Sequence, residues 1–247
     1  MFFEGMIMNQ TMTEILRFKH DTTYSNSKFI YYVFAWMCFG LIITAGCAFV
    51  VAHDARMIAL VVTADGLTGF GYVLLFAPIG FVLLMSLGFR QLSYEMLLFL
   101  FMVYAAIMGM SLSVIFLIYS IATIYIIFGI AALMYGTMAI IGYFTKTDLT
   151  KIGNILMMIL IGIVLASIVN LFLQSDSFTY FISFVSVVVF AGLTAFDIQK
   201  IKKLAEETQI DEGMKKKLGI IGALTLYLDF INLFLSLLHL LGNRKKT

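Results

Sequence analysis

Charge is what this sequence most lacks. Aspartate, glutamate, lysine and arginine supply 12% of its 247 residues, whereas a soluble domain carries about 25%. Hydrophobic residues reach 62% and the mean hydropathy is +1.03, against about 45–50% apolar residues in a soluble domain. So thin an ionic surface excludes a water-soluble globular protein, a disordered chain and a nucleic-acid binder; what remains is a membrane protein. Cysteine is nearly absent, and its two copies, Cys38 and Cys47, sit in one apolar run. Nine residues at about 100° per residue point them to opposite helix faces, so neither a disulfide nor a metal pair is expected. Also missing is the basic-then-apolar-then-small order of a cleavable signal: Glu4, Glu14, Arg17 and Lys19 are scattered among apolar residues.

What the chain does have is long apolar runs. A bilayer core of about 30 Å needs about 20 apolar residues per helical span. Seven segments meet that length: Phe29–Ala52, Thr68–Phe89, Met96–Tyr119, Ile121–Tyr143, Ile152–Leu173, Phe178–Gln199 and Leu218–Leu241. Barrel strands would be about 9–11 residues of alternating polarity, and these runs are longer and apolar on all sides. The predicted fold is an all-α membrane protein, a seven-transmembrane-helix bundle in residues 29–242. A cytoplasmic segment, 1–28, precedes it and a basic tail, 243–247, follows. Connections are short except Ala52–Leu67 and Lys200–Lys217, which makes consecutive helices antiparallel neighbours. The lone proline, Pro78, falls inside the second span, where it kinks the helix or frees a carbonyl.

Orientation follows from lysine and arginine. Seven crossings group twelve of the sixteen with the N-terminus and with the loops after spans two, four and six. The N-terminus is therefore expected in the cytoplasm. Arg244, Lys245 and Lys246 run against this rule at the far end, and a last helix that crosses only partly would remove the conflict.

Most ionisable groups fall in loops or at span ends, His20, His53, His239, Glu95 and Asp148 among them, where solvation, an interfacial anchor or a helix dipole accounts for them. Asp197 and Asp229 do not fit that account. The first lies a few residues before the sixth span exits and the second near the middle of the seventh. A carboxylate at the centre of a span costs about 2.5–3.5 kcal/mol, so each should face the bundle interior and find a partner or a proton. One hairpin joins the two spans, and two carboxylates sharing a low-dielectric site hold one proton between them. They can meet only if the seventh helix begins above the membrane, with Lys215–Lys217 in the cytoplasm. Gly192 and Thr194, with Gly222 and Ala223, provide small surfaces for close packing of spans six and seven. The alternative is that each aspartate separately caps a helix or bonds Asn232, Tyr227 or Asn170. Arg90, at the end of the second span, is the best-placed cation to bridge an ionised pair; it is also an ordinary basic flank that snorkels to the headgroups.

Around these residues the sequence resembles the Bax inhibitor family, the transmembrane proteins carrying the Bax inhibitor motif, and within it the bacterial branch. The likeness rests on Phe190–Ile201, on Leu226–Leu235 with Leu240-Leu241-Gly242, on Met108-Gly109 with Leu112-Ser113, and on Gly142–Leu149. Phe196 and Ile198 depart from the Tyr and Thr expected beside Asp197. The resemblance implies a bundle with the last helix central, in a bacterial inner (plasma) membrane, that acts as a pH-sensitive calcium leak. Asp197 and Asp229 then correspond to the proton-sensing latch that also meets calcium, and Arg90 to the latch's arginine partner. Calcium ions, protons and the lipid bilayer are the implied partners, together with a membrane-protein partner in a regulatory role. No cofactor, permanent metal or enzyme activity is expected. Three other functions use the same residues differently: an intramembrane aspartyl protease, whose Gly-x-Gly-Asp setting is missing here; a regulator that binds a membrane protease or cell-death protein; and a proton-coupled transporter with the carboxylates as relay. A retinal protein is excluded, because no lysine lies between Leu218 and Leu241.

Overall fold

A computed structural model of the protein describes residues 2–63, 66–206, 211–243 and 245, with side chains from Ser27 onward. The expected N-terminal segment and basic tail therefore lie largely outside the described side chains. The elements are α1 (Phe2–His53), α2 (Ala55–Val61), β1 (Val62–Thr63), β2 (Gly66–Leu67), α3 (Gly69–Gly88), α4 (Tyr94–Leu112), α5 (Ile115–Ile118), α6 (Ile121–Phe144), α7 (Thr150–Leu173), α8 (Asp176–Glu206) and α9 (Glu212–Leu241). Seven segments are long and apolar enough to cross a membrane: Ser27–His53 of α1, Tyr94–Ile118 of α4 with α5, and α3, α6, α7, α8 and α9.

Local chemistry starts these helices where apolar periodicity alone would not. Thr68, Ser93 and Ser120 each turn a hydroxyl onto a first-turn amide, of Gly71, Met96 and Thr123 respectively. Asp211 accepts from Gly213 and Met214 to begin α9. Such caps satisfy donors that a helix start leaves unpaired. At the far end of α7, Gln174 takes a left-handed conformation, φ 48°, and Asn170 accepts from the amide of Ser175, which reverses the chain into α8.

Three expectations change. The long loop 52–67 contains α2 and a two-stranded antiparallel hairpin, Val62 opposite Leu67; elements this short leave no hydropathy signature. The third span is interrupted at Ser113–Val114, between α4 and α5, where Ser113 Oγ donates to Met110 O at 2.6 Å. The region 200–217 is mostly helix, because α8 runs on to Glu206 and α9 begins at Glu212. Lysines end an apolar run without ending a helix. α3 continues through Pro78.

α9 packs against α1, α4, α6 and α8, while α8 also meets α6 and α7. In lipid the drive for this is close packing rather than water exclusion. Glycines mark the closest approaches, at the α1–α4 and α6–α8 contacts among others. A Cβ on Gly109 of α4 would lie 2.7 Å from the Cβ of Cys47 in α1, and one on Gly142 of α6 would lie 2.7 Å from Ala195 Cα in α8. Gly192 does not serve spans six and seven as expected: it faces Leu156 of α7, whereas Gly222 does face Ile201 of α8, and Val33 of α1. The outer flanks, such as Leu171 and Phe172 of α7, are exposed and apolar, as lipid requires.

Candidate functional site

Antiparallel register brings the two intramembrane aspartates together. Lys215 Nζ of α9 donates to Ala205 O of α8 at 3.2 Å, and Gly222 lies against Ile201. Two turns past Gly222 on α9 and one turn before Ile201 on α8, Asp229 and Asp197 come close enough for each carboxyl group to act on the other. The mismatch in depth disappears because α8 continues for nine residues past Asp197, about 13 Å of helix. Asp197 is 8% exposed and Asp229 5%. Both are carried on faces of large or small apolar residues (Leu193 and Ile201 around one, Leu226 and Leu233 around the other), which are themselves buried.

Asp229 Oδ2 is buried, and no N–H or O–H among the described residues reaches it. An acceptor left in that state costs about 1–3 kcal/mol, more when charged. A hydrogen bond between two carboxyl groups in turn needs a proton on one of them. The site thus supplies its own donor only when the pair holds a proton.

The expected supporting residues are engaged elsewhere. Asn232 Nδ2 donates to Leu228 O at 2.8 Å within its own helix. Tyr227 OH lies 2.7 Å from Thr44 Oγ1, among the rings of Phe101 and Tyr104. Asn170 Nδ2 donates to Thr179 Oγ1 at 2.7 Å. Among the described residues, no hydrogen bond joins Asn232, Tyr227 or Asn170 to either carboxyl group. Arg90 is not brought to the pair either. It sits exposed just beyond α3, its guanidinium 5.8 Å from the Phe89 ring centre, because the second span ends where α3 does and leaves it in the flanking turn. Among the described residues no salt bridge reaches either aspartate, and the cation acting on Asp197 is the exposed Lys200, one turn along α8.

Tyr135 of α6 is the neighbour that the sequence did not mark. It is buried, its charge environment includes both aspartates, and its hydroxyl is shared between Leu226 O at 3.3 Å and Met37 Sδ at 3.5 Å. A tyrosine within an apolar run carries no signal of that position. Phe196, beside Asp197, turns to α7, where its ring covers Gly153.

One turn beyond the pair, α8 fastens the 145–149 loop. Gln199 Oε1 accepts from Leu149 N at 2.9 Å and its Nε2 donates to Thr147 O at 2.8 Å. Lys202 Nζ donates to Tyr143 O at 2.9 Å, and Lys203 Nζ meets Asp148 Oδ1 at 2.6 Å. The Lys203 hydrogen bond, aided by Thr150, holds the Asp148 carboxyl down at about 2. Gly142–Leu149 therefore acts as a unit: a close approach of α6 to α8, then a loop tied to the same helix.

The family described as inhibitor of apoptosis-promoting Bax1 matches the chain over residues 26–246. The inner membrane protein YbhL of Escherichia coli is 44% identical over 214 residues, covering 86% of this chain and 90% of that protein. An uncharacterized protein of Rickettsia prowazekii, RP147, is 47% identical over 178 residues, 72% of this chain and 75% of its own. Another, from Borreliella burgdorferi, is 38% identical over 234 residues, 95% of this chain and 99% of its own.

Proposed function

The chain belongs to the Bax inhibitor family, and from that premise we propose that it is a proton-gated calcium leak channel with Asp197 and Asp229 as its latch. The observation that carries this reading is the meeting of two buried carboxyl groups across α8 and α9. With one proton between them, the pair forms a charge-assisted hydrogen bond, roughly twice as strong as a neutral one, and ties the two helices. A second proton removes the charge and weakens the tie; α9 then loosens against α8 and calcium passes. Because Arg90 stands away from the pair, the shared proton does the bridging that a cation would otherwise do. Calcium is cargo in this scheme: it takes about 6–8 oxygen ligands, more than two carboxylates offer, which favours passage over retention. The name of the Escherichia coli relative places that protein in an inner membrane, and we assign this chain to the same membrane, with its lysine-rich loops in the cytoplasm.

The test is calcium flux from the purified full-length protein in liposomes, followed across pH. Asp197→Asn and Asp229→Asn are each expected to flatten the pH dependence. If both variants keep the dependence of the parent protein, the latch is wrong; if the parent protein passes no calcium, the channel is.

A further inference from the structure

At the end of the bundle opposite the lysine-rich loops, the helices leave a crevice of about 320 Å³, at the lower end of the range for small-molecule sites, about 300–1,000 Å³. α1 and α6 touch nearer the lysine-rich end, at Met37 and Tyr135, and part beyond it. Ala45 and Phe49 form one wall, Ile124 and Phe128 the other, and Phe234 of α9 the floor. Ala45, Phe49 and Phe128 are exposed on the outer surface of membrane-crossing helices, so the opening faces lipid. The hydroxyl of Thr44 at the inner end is already bonded to Gly40 O, Ala105 O and Tyr227 OH. Apart from the exposed Tyr125, the walls therefore offer hydrocarbon and aromatic rings alone.

The rim is basic. Lys245 is pinned there twice, its main-chain N–H donating to Ile118 O at 2.8 Å and its Nζ to Phe116 O at 2.9 Å. His53 lies alongside, its ring 4.0 Å from that of Phe49 and 6.3 Å from that of Phe116, both of which line the crevice. Thr44 to His53 spans nine residues of α1, about 13 Å of helix, close to the ~15 Å depth of one leaflet of a ~30 Å core. A lysine ammonium is a point-charge phosphate binder.

We propose that the crevice between α1 and α6 is a phospholipid site, holding one acyl chain of an anionic phospholipid whose phosphate rests on Lys245 and His53. An apolar slot open to the bilayer, one leaflet deep and basic at its mouth, matches a lipid in length, polarity and charge. This site is independent of the proposed calcium leak.

The test uses full-length protein in phosphatidylcholine liposomes doped with phosphatidylglycerol bearing a photoreactive acyl chain, with crosslinks mapped by mass spectrometry. Labelling is expected on the peptides carrying Phe49, Ile124 and Phe128, severalfold above that on Leu165 and Leu171 of the lipid-facing α7. Ala45→Trp, which fills the slot, should remove the crevice signal and spare α7; Ile124→Trp serves if the first variant does not fold, as judged by α7 labelling and elution. Lys245→Glu should reduce crevice labelling by phosphatidylglycerol and leave that by a phosphatidylcholine probe unchanged. Equal labelling of crevice and α7 overturns the site. Indifference to Lys245→Glu overturns the phosphate contact.

Discussion

Asp148 and Asp197 both depend on α8 for their surroundings, and water separates their chemistry. Asp148 is exposed, with Lys203 Nζ at 2.6 Å and the hydroxyl of Thr150 at 2.7 Å. Every one of those interactions favours the ionised form. Asp197, about two turns before Lys203 on α8, is buried against a second carboxyl group, with no salt bridge among the described residues. Burial without a counter-ion makes the protonation state of that pair a structural variable, whereas an exposed ion pair changes little when its charge is lost. The same side chain is thus a fixed clip in one place and, in the proposed mechanism, a switch in the other.

The largest expected effect separates the two directly. Asp229→Asn should abolish the pH response of calcium flux, while Asp148→Asn leaves it intact and at most shifts its amplitude. Both would be measured in the same liposome assay. A pH response that disappears with Asp148→Asn and survives Asp229→Asn would exchange the roles of the two sites.

A smaller effect extends the contrast between buried seam and outer surface to the apolar scaffold. Gly142→Ala pushes a Cβ to 2.7 Å from Ala195 Cα in α8, a backbone contact that cannot rotate away, and should destabilise by about 1–3 kcal/mol. Gly162→Ala in α7 meets nothing within 4 Å and should stabilise by up to about 1 kcal/mol through helix propensity. Thermal unfolding in detergent reads both. Equal shifts of the same sign would mean that α6 and α8 are not in backbone contact at Gly142.

Much of this architecture is written in hydropathy. The predicted spans lie within a few residues of the helices except at the start of α1, which is helical from Phe2, and at the α8–α9 hairpin, where Lys202, Lys203 and Lys215–Lys217 lie on helical turns that hydropathy cannot claim. Asp197 and Asp229 stand out because a carboxylate in lipid is costly. Their surroundings were not legible. Asn232 lies one turn from Asp229, yet its amide bonds its own helix; Arg90 is set aside by where α3 ends; Tyr135 comes from a helix distant in sequence. Which faces meet is fixed by packing of glycines such as Gly142, and sequence periodicity is weak when helices are apolar all round.

The smallest effect tests the clip itself. The carboxyl of Asp148 is held at about 2, below its ordinary value of 3.8, chiefly by the Lys203 hydrogen bond. A depressed value means that the folded state binds fewer protons than the unfolded one between these limits. The stabilisation it gives is therefore complete above about pH 4 and is lost as pH falls through 2. Carbon NMR of the Asp148 carboxyl should show a midpoint near 2 in the parent protein and a rise toward the ordinary value in Lys203→Met. A midpoint already at the ordinary value in the parent protein would mean that Lys203 does not hold this loop, leaving Gln199 and Lys202 to tie it to α8.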